Sequence, residues 1–172
     1  KEKEILKSGA LVERGGMDLV CVDKVRDAFK AAKGGVLFID EAYSIFSGTV
    51  ITALIQEMEN HRDDVIVILA GYGDRMKHFI SRNEGLKSRI PYWVDFPDYN
   101  ADELTEIFKL MLKERGLYAD ESAISEAHFI FDKVKCVTDF GNGRYVRNLL
   151  EYAIQNQSVR LLSEYDDATQ IS

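Results

Sequence analysis

The sequence predicts an α/β fold, a partial three-layer core built on a parallel sheet and followed by a C-terminal α-helical part. Residues 36–39 and 65–70 are apolar at every position, which suits strands of a parallel sheet better than the alternation of a half-exposed one. Around them, apolar residues recur at helical spacing, so strand and helix alternate as in crossover units. Beyond Pro97 the alternation stops and only helical patterns remain.

Residues 1–8 read as the closing turns of a helix, with Lys7 near its carboxyl end and Gly9 releasing the chain. Residues 10–13 are a short strand and 14–18 a turn. From Asp23 as N-cap, Val25, Ala28, Phe29 and Ala32 share one helical face, and Gly34-Gly35 ends that helix before the strand over 36–40. Such a strand, helix, strand unit should connect right-handedly. A link containing Gly48 leads to a helix over 49–60 that turns Val50, Ile51, Leu54, Ile55 and Met58 inward. After the strand over 65–70, Gly71-Tyr72-Gly73 turns the chain into a short helix over 74–82 with Met76, Phe79 and Ile80 on its core side. Residues 83–90 read as an exposed loop, and Tyr92 to Phe96 as a further strand closed by Pro97.

The expected domains are 1–98, the partial core, and 99–172, the helical part. Asn100 with Glu103 three residues on has the pattern of a capping box, opening a helix with Leu104, Ile107, Phe108, Met111 and Leu112 inward and its end at Gly116. A second helix over about 122–135 places Ala123, Ala127, Ile130, Phe131 and Val134 inward. Asn142 is the expected cap of a third, whose core face carries Val146, Leu149, Leu150, Ala153, Ile154 and Leu161.

Apolar residues make up 46% of the chain and charged ones 30%, with only two prolines, which describes an ordered, helix-rich globule and excludes a disordered or repetitive one. No apolar run approaches the ~20 residues of a membrane span, and Lys1-Glu2-Lys3-Glu4 does not open a signal peptide. Cys21 and Cys136 lack paired-ligand spacing and suit small buried residues in a reducing cytoplasm. A net charge of −7 argues against broad binding to nucleic acid or anionic lipid. His61, His78 and His128 are scattered, so hydrogen-bonded surface roles are their default.

Chemistry concentrates at Asp40 and Glu41, adjacent carboxylates at the carboxyl end of the strand over 36–40, where open α/β sheets collect ligands. Two carboxylates there are costly to desolvate unless a cation or proton donors meet them. One reading is a Walker B segment, in which Asp40 holds Mg²⁺ and Glu41 orients the water that attacks a γ-phosphate. The other is a solvated acidic turn.

With residues 34–43, four further stretches carry a resemblance: 65–76, Asn83-Glu84-Gly85-Leu86-Lys87-Ser88-Arg89, Phe96-Pro97-Asp98-Tyr99 and Gly141-Asn142-Gly143-Arg144. In order and spacing they closely resemble AAA+ ATPases of the stage V sporulation protein K and red-type Rubisco activase group. The resemblance implies a P-loop NTPase core with a helical lid, the cofactors ATP and Mg²⁺ bound between subunits of a homo-oligomeric, hexameric ring, and remodelling of a protein partner. It assigns Asp40 and Glu41 as the Walker B pair and Arg89 as an arginine finger reaching a neighbouring subunit's site. Arg144 matches the sensor 2 arginine, with Arg147 as the competing candidate. Tyr72 stands near the sensor 1 position, where packing against neighbours is the plainer reading.

An ATPase of this kind needs the loop Gly-x-x-x-x-Gly-Lys-Ser/Thr, and none of the twelve glycines is followed by another five residues on. The expectation is therefore a portion of an ATPase, inactive by itself, that lacks the P-loop. In the family's sheet order a strand leading into that loop lies between those matching 65–70 and 92–96. The segments after residues 18–20 and after Ile45 are also shorter than the family's, which leaves no residue for substrate threading. The rival reading is a non-hydrolysing scaffold or adaptor of the same shape. A clamp-loader-like machine shares Ser88-Arg89, but the acidic charge balance disfavours it.

Overall fold

Val36, Ile39, Ile66, Val67 and Ile68 favour the pleated backbone through their branched Cβ atoms. In the computed structural model, which describes residues 9–135, 137 and 140–169 and side chains as far as 163, they form two of three strands. The expected helix end over 1–8 and Cys136 lie outside the described residues. The chain divides into two compact units, one through Asp95 and one from Phe96 onward, against an expected boundary after Asp98.

In the first unit the strands β1 (Leu11–Gly15), β2 (Val36–Asp40) and β3 (Ile66–Leu69) form a parallel sheet in the order β1-β2-β3. Leu11 pairs with Val36 and Gly15 with Asp40, while Val36 pairs with Ile66 and Ile39 with Leu69. The helix α1 (Val22–Ala31) runs between the first two strands and α2 (Gly48–Asn60) between the second and third. Two shorter helices, α3 (Gly73–Ser81) and α4 (Glu84–Lys87), follow β3.

Period-2 geometry sends Leu37 and Ile39 to one face of β2 and Val36 and Phe38 to the other. The first pair is fully buried with Val25 and Phe29 of α1, Leu54 of α2, Met76 and Phe79 of α3, and Leu86 of α4. Each such side chain contributes about 1.5–3 kcal/mol of apolar transfer. Val36 and Phe38 are only half-buried, and Ile68 on β3 is 44% exposed. The burial expected on both faces is therefore complete on one face of β2 and on neither face of β3 among the described residues.

Three expectations for this unit need correction. The predicted loop over 83–90 contains α4, formed because Leu86 can be fully buried there. No strand forms over 92–96: residues 91–100 have no regular structure, and Tyr92, Val94 and Phe96 face solvent with no neighbouring strand to pair them. Cys21 is exposed, because it precedes α1 as its N-cap and does not point into the core.

The second unit is three helices, α5 (Ala101–Glu114), α6 (Glu121–Val134) and α7 (Gly143–Thr169). Asn100 and Glu103 form the expected capping box: the Asn100 side chain accepts from Glu103 N at 3.0 Å, and the Glu103 carboxylate accepts from Asn100 N at 2.9 Å. Gly116, at φ +65°, reverses the chain after α5, with Leu117 N bonded to Leu112 O at 2.9 Å and Gly116 N to Lys113 O at 3.1 Å. Leu104, Phe108, Phe131, Val146 and Leu150 form the core, and Phe108, Phe131, Tyr145 and Phe140 meet edge to face in series.

Here too the structure differs at the helix starts. The cap of α6 is Asp120, whose carboxylate accepts from Ala123 N and from the Ser122 hydroxyl, both at 2.8 Å. Ala123 is thereby on the solvent side instead of in the core, as are Ala153 and Leu161 on α7. Asn142 does not cap α7: its side chain turns back, accepting from Tyr99 N at 2.9 Å and donating to the Asp98 carboxylate at 2.6 Å.

Candidate functional site

The site begins where β2 ends. Past Ile39 the main chain is still tied to the end of β3, with Ala70 N donating to Ile39 O at 2.9 Å and Ala42 N to Ala70 O at 3.0 Å. Between these bonds Glu41 takes the left-handed conformation, φ 51° and ψ 41°. For a residue with a Cβ that conformation costs on the order of 1–2 kcal/mol and is found where surroundings impose it. Two bonds hold it: Glu41 N donates to the Asp40 carboxylate at 3.0 Å, and Glu41 O accepts from Ser44 N at 2.8 Å.

Gly16, just beyond β1, forms the wall of this turn. A Cβ at that position would stand 2.5 Å from both Glu41 O and Ser44 Oγ, so only glycine permits the approach. The turn is thus fixed from three sides: by β1, by β3 and by the Asp40 side chain.

Asp40 is exposed and Glu41 half-buried, and among the described residues neither carboxylate has an ion-pair partner. Their oxygens are hard donors of the type that suits Mg²⁺. No cluster of three or more His, Cys, Asp or Glu occurs among the described residues. Mg²⁺ commonly needs only one or two protein carboxylates beside water and phosphate oxygens, so this donor set fits it.

Tyr72 lies beside this strand end, two residues beyond Ala70, as the N-cap of α3. Arg75, one turn on, places its guanidinium carbon 5.4 Å from the ring centroids of both Tyr72 and Tyr43, and its Nη1 3.4 Å from the Tyr43 hydroxyl. Tyr72 is half exposed, so it is packed on one side and open on the other.

Arg89 is placed elsewhere in the same unit, on the carboxyl-terminal end of α2. Gly85 lets α4 lie against that helix, since a Cβ there would meet Ile55 Cδ1 at 2.9 Å. Arg89 Nη1 then donates to Gly85 O at 3.1 Å, and its Nε stands 3.2 Å from a Glu59 carboxylate oxygen. Glu41 leads into the other end of α2, whose thirteen residues span ~18 Å. Asp40, Glu41 and Tyr72 are therefore brought together, and Arg89 stands apart from them.

Arg144 belongs to the second unit, as the second residue of α7, with its side chain exposed and its N–H bonded to Gly141 O at 2.9 Å. Arg147 is exposed one turn later. Sequence reasoning missed Gly16, Arg75 and Glu59, whose partners lie 25 to 32 residues away in the chain: Gly16 against Glu41, Arg75 on Tyr43, and Glu59 beside Arg89. The signal available for Arg75 was its three-residue spacing from Tyr72.

A sequence model described as "ATPase family associated with various cellular activities (AAA)" matches residues 9–92, and one described as "AAA lid domain" matches 100–171. Stage V sporulation protein K of Bacillus subtilis (strain 168) is 41% identical over 177 residues, covering 94% of this chain and 55% of that protein. Protein CbxX (chromosomal) of Cupriavidus necator is 43% identical over 150 residues, covering 82% of this chain and 47% of its own length. Protein CbbX of Cereibacter sphaeroides is 39% identical over 148 residues, with 81% and 48% covered. The chain spans about half the length of the curated relatives it matches. No described helix is long and apolar enough to cross a membrane. With both domain models matched in sequence order over nearly the whole chain, the protein belongs to the AAA ATPase family, as a core domain followed by its helical lid.

Proposed function

We propose that this chain carries the metal-binding and water-orienting carboxylates, the trans-acting arginine and the lid of an AAA+ ATPase. In that reading a cytoplasmic homo-oligomeric ring couples Mg²⁺-ATP hydrolysis to remodelling of a protein partner. The observation that carries it is the turn at Asp40 and Glu41: adjacent carboxylates with no ion pair among the described residues, at the carboxyl end of the middle strand, with Glu41 in a left-handed conformation held by its neighbours.

Bound Mg²⁺-ATP would supply the γ-phosphoryl group and the charge that polarises it. Asp40 would hold the metal with its exposed carboxylate. Glu41 orients and polarises the attacking water, and its rigid backbone spares the reorientation a mobile base would need. Arg89 reaches a neighbouring subunit's site, where a guanidinium stabilises charge spreading over the transferred group. Arg144, at the amino end of α7, senses the nucleotide of its own subunit. Tyr72, steadied by Arg75, would serve the nucleotide site as a packing residue.

In the complete protein, Glu41→Gln should keep Mg²⁺-ATP affinity within about threefold while lowering turnover at least ~100-fold. Unchanged turnover would remove Glu41 from the water-orienting role. The second reading is a non-hydrolysing scaffold or adaptor of the same shape. Calorimetry with Mg²⁺-ATP on the 172-residue chain, beside a longer form that carries a glycine loop, separates the two. Binding by the longer form alone supports the ATPase, and binding by neither supports the scaffold.

A further inference from the structure

We propose that Glu59 is a positioning residue for Arg89, fixing which edge of its guanidinium is offered to the neighbouring site. The inference rests on the reading of Arg89 given above.

Arg89 Nε is buried and has no aligned hydrogen-bond acceptor, yet a Glu59 oxygen stands 3.2 Å away, at ion-pair distance. A buried cationic N–H is costly unless an anion faces it, and Glu59 is that anion. Nη1 is engaged on the same chain by Gly85 O at 3.1 Å and lies 3.4 Å from Ser88 Oγ. With Nε and Nη1 so held, Nη2 is the nitrogen without a partner among the described residues. A planar guanidinium gripped on two nitrogens has one orientation, so the free edge is set before any phosphate arrives.

The grip itself is anchored. Glu59 sits in the last turn of α2, and its second oxygen is 3.3 Å from Arg62 Nη1. Arg89 follows α4, which packs through Gly85 against Ile55 of the same helix. Glu59 is therefore carried by α2 and Arg89 by the segment packed on that helix, and the pair makes no use of the Asp40 and Glu41 turn.

The test is steady-state ATP turnover by the complete protein, with ring assembly and thermal midpoint measured alongside. Glu59→Ala should lower kcat about fivefold with KM for ATP unchanged, the loss expected when an aligned charged group becomes free to rotate. Glu59→Gln, which keeps an oxygen beside Nε, should recover more than half of that loss. Arg62→Ala, which removes the ion pair to the second Glu59 oxygen together with the pair of Arg62 to Asp63 at 3.8 Å, leaves the Glu59 oxygen beside Nε in place and should lower kcat less than Glu59→Ala does. On an Arg89→Ala background, Glu59→Ala should cause no further loss. If Arg89→Ala alone leaves kcat intact, the arginine-finger reading falls and this inference with it. If Arg89→Ala abolishes turnover while Glu59→Ala does not change it, or if the two losses multiply, the positioning role alone is overturned. Should Glu59→Ala fail to fold, Glu59→Met, which keeps the length of the side chain and removes both oxygens, carries the test, and a kcat equal to the parent's overturns the role.

Discussion

At Gly16 one missing methyl group determines the shape of the turn at Asp40 and Glu41. Its neighbours are a backbone oxygen, Glu41 O, and a hydroxyl that makes no hydrogen bond, Ser44 Oγ, each 2.5 Å from where a Cβ would lie. A backbone oxygen cannot rotate aside, so Gly16→Ala must shift Glu41, cost about 1–3 kcal/mol of stability and reduce turnover of the complete protein. Urea unfolding measures the first effect and an ATPase assay the second. A variant as stable as the parent would show that the turn has slack. Asp40 and Glu41 could be picked out in the sequence because an apolar strand followed by two carboxylates is a local pattern. Gly16 could not, since its role depends on a residue 25 positions away.

At the scale of an element, the helices of the second unit show how far local rules reach. The capping box of α5 is a four-residue motif and appears where the sequence places it. The sequence places the start of α6 at about 122 and names no cap; the helix starts at Glu121 with Asp120 as its cap, and because Asp120 and Ser122 are both good caps the local pattern does not rank them. Hydrogen bonds from Ala123 N–H and the Ser122 hydroxyl hold the Asp120 carboxyl below its ordinary value. A lowered carboxylate contributes stability that is present above the unfolded value, ~3.9, and lost as pH falls through the folded one. The thermal-midpoint advantage of the parent over Asp120→Asn should therefore shrink once pH drops below ~4, and an advantage constant from pH 7 to pH 3 would contradict the assignment. Asn142 illustrates the opposite limit, because its partners Asp98 and Tyr99 lie 44 and 43 residues away and its own sequence context suggests only a cap.

Over the whole molecule, the order of elements was legible and the extent of burial was not. Period and length separate strand from helix, which is why the parallel sheet and the run of three helices follow from the sequence. Burial depends on what covers an element. The segment 92–96 has the β-branched and aromatic composition of a strand and no strand to pair with, so it stays irregular. The second half of α7 likewise carries Tyr152, Val159, Leu161 and Leu162 in exposed positions.

That uncovered segment has a consequence for cleavage. Residues 91–100 are exposed throughout, and among them Tyr92, Phe96 and Tyr99 are side chains that chymotrypsin accepts. A protease must draw several residues of extended chain into its cleft, which helices and sheet strands resist and irregular backbone does not. Brief digestion of the native chain should cut first here, yielding two fragments of roughly equal mass, each with its own hydrophobic core. The joint between core and lid would then be the place where the molecule comes apart under the mildest chemical attack.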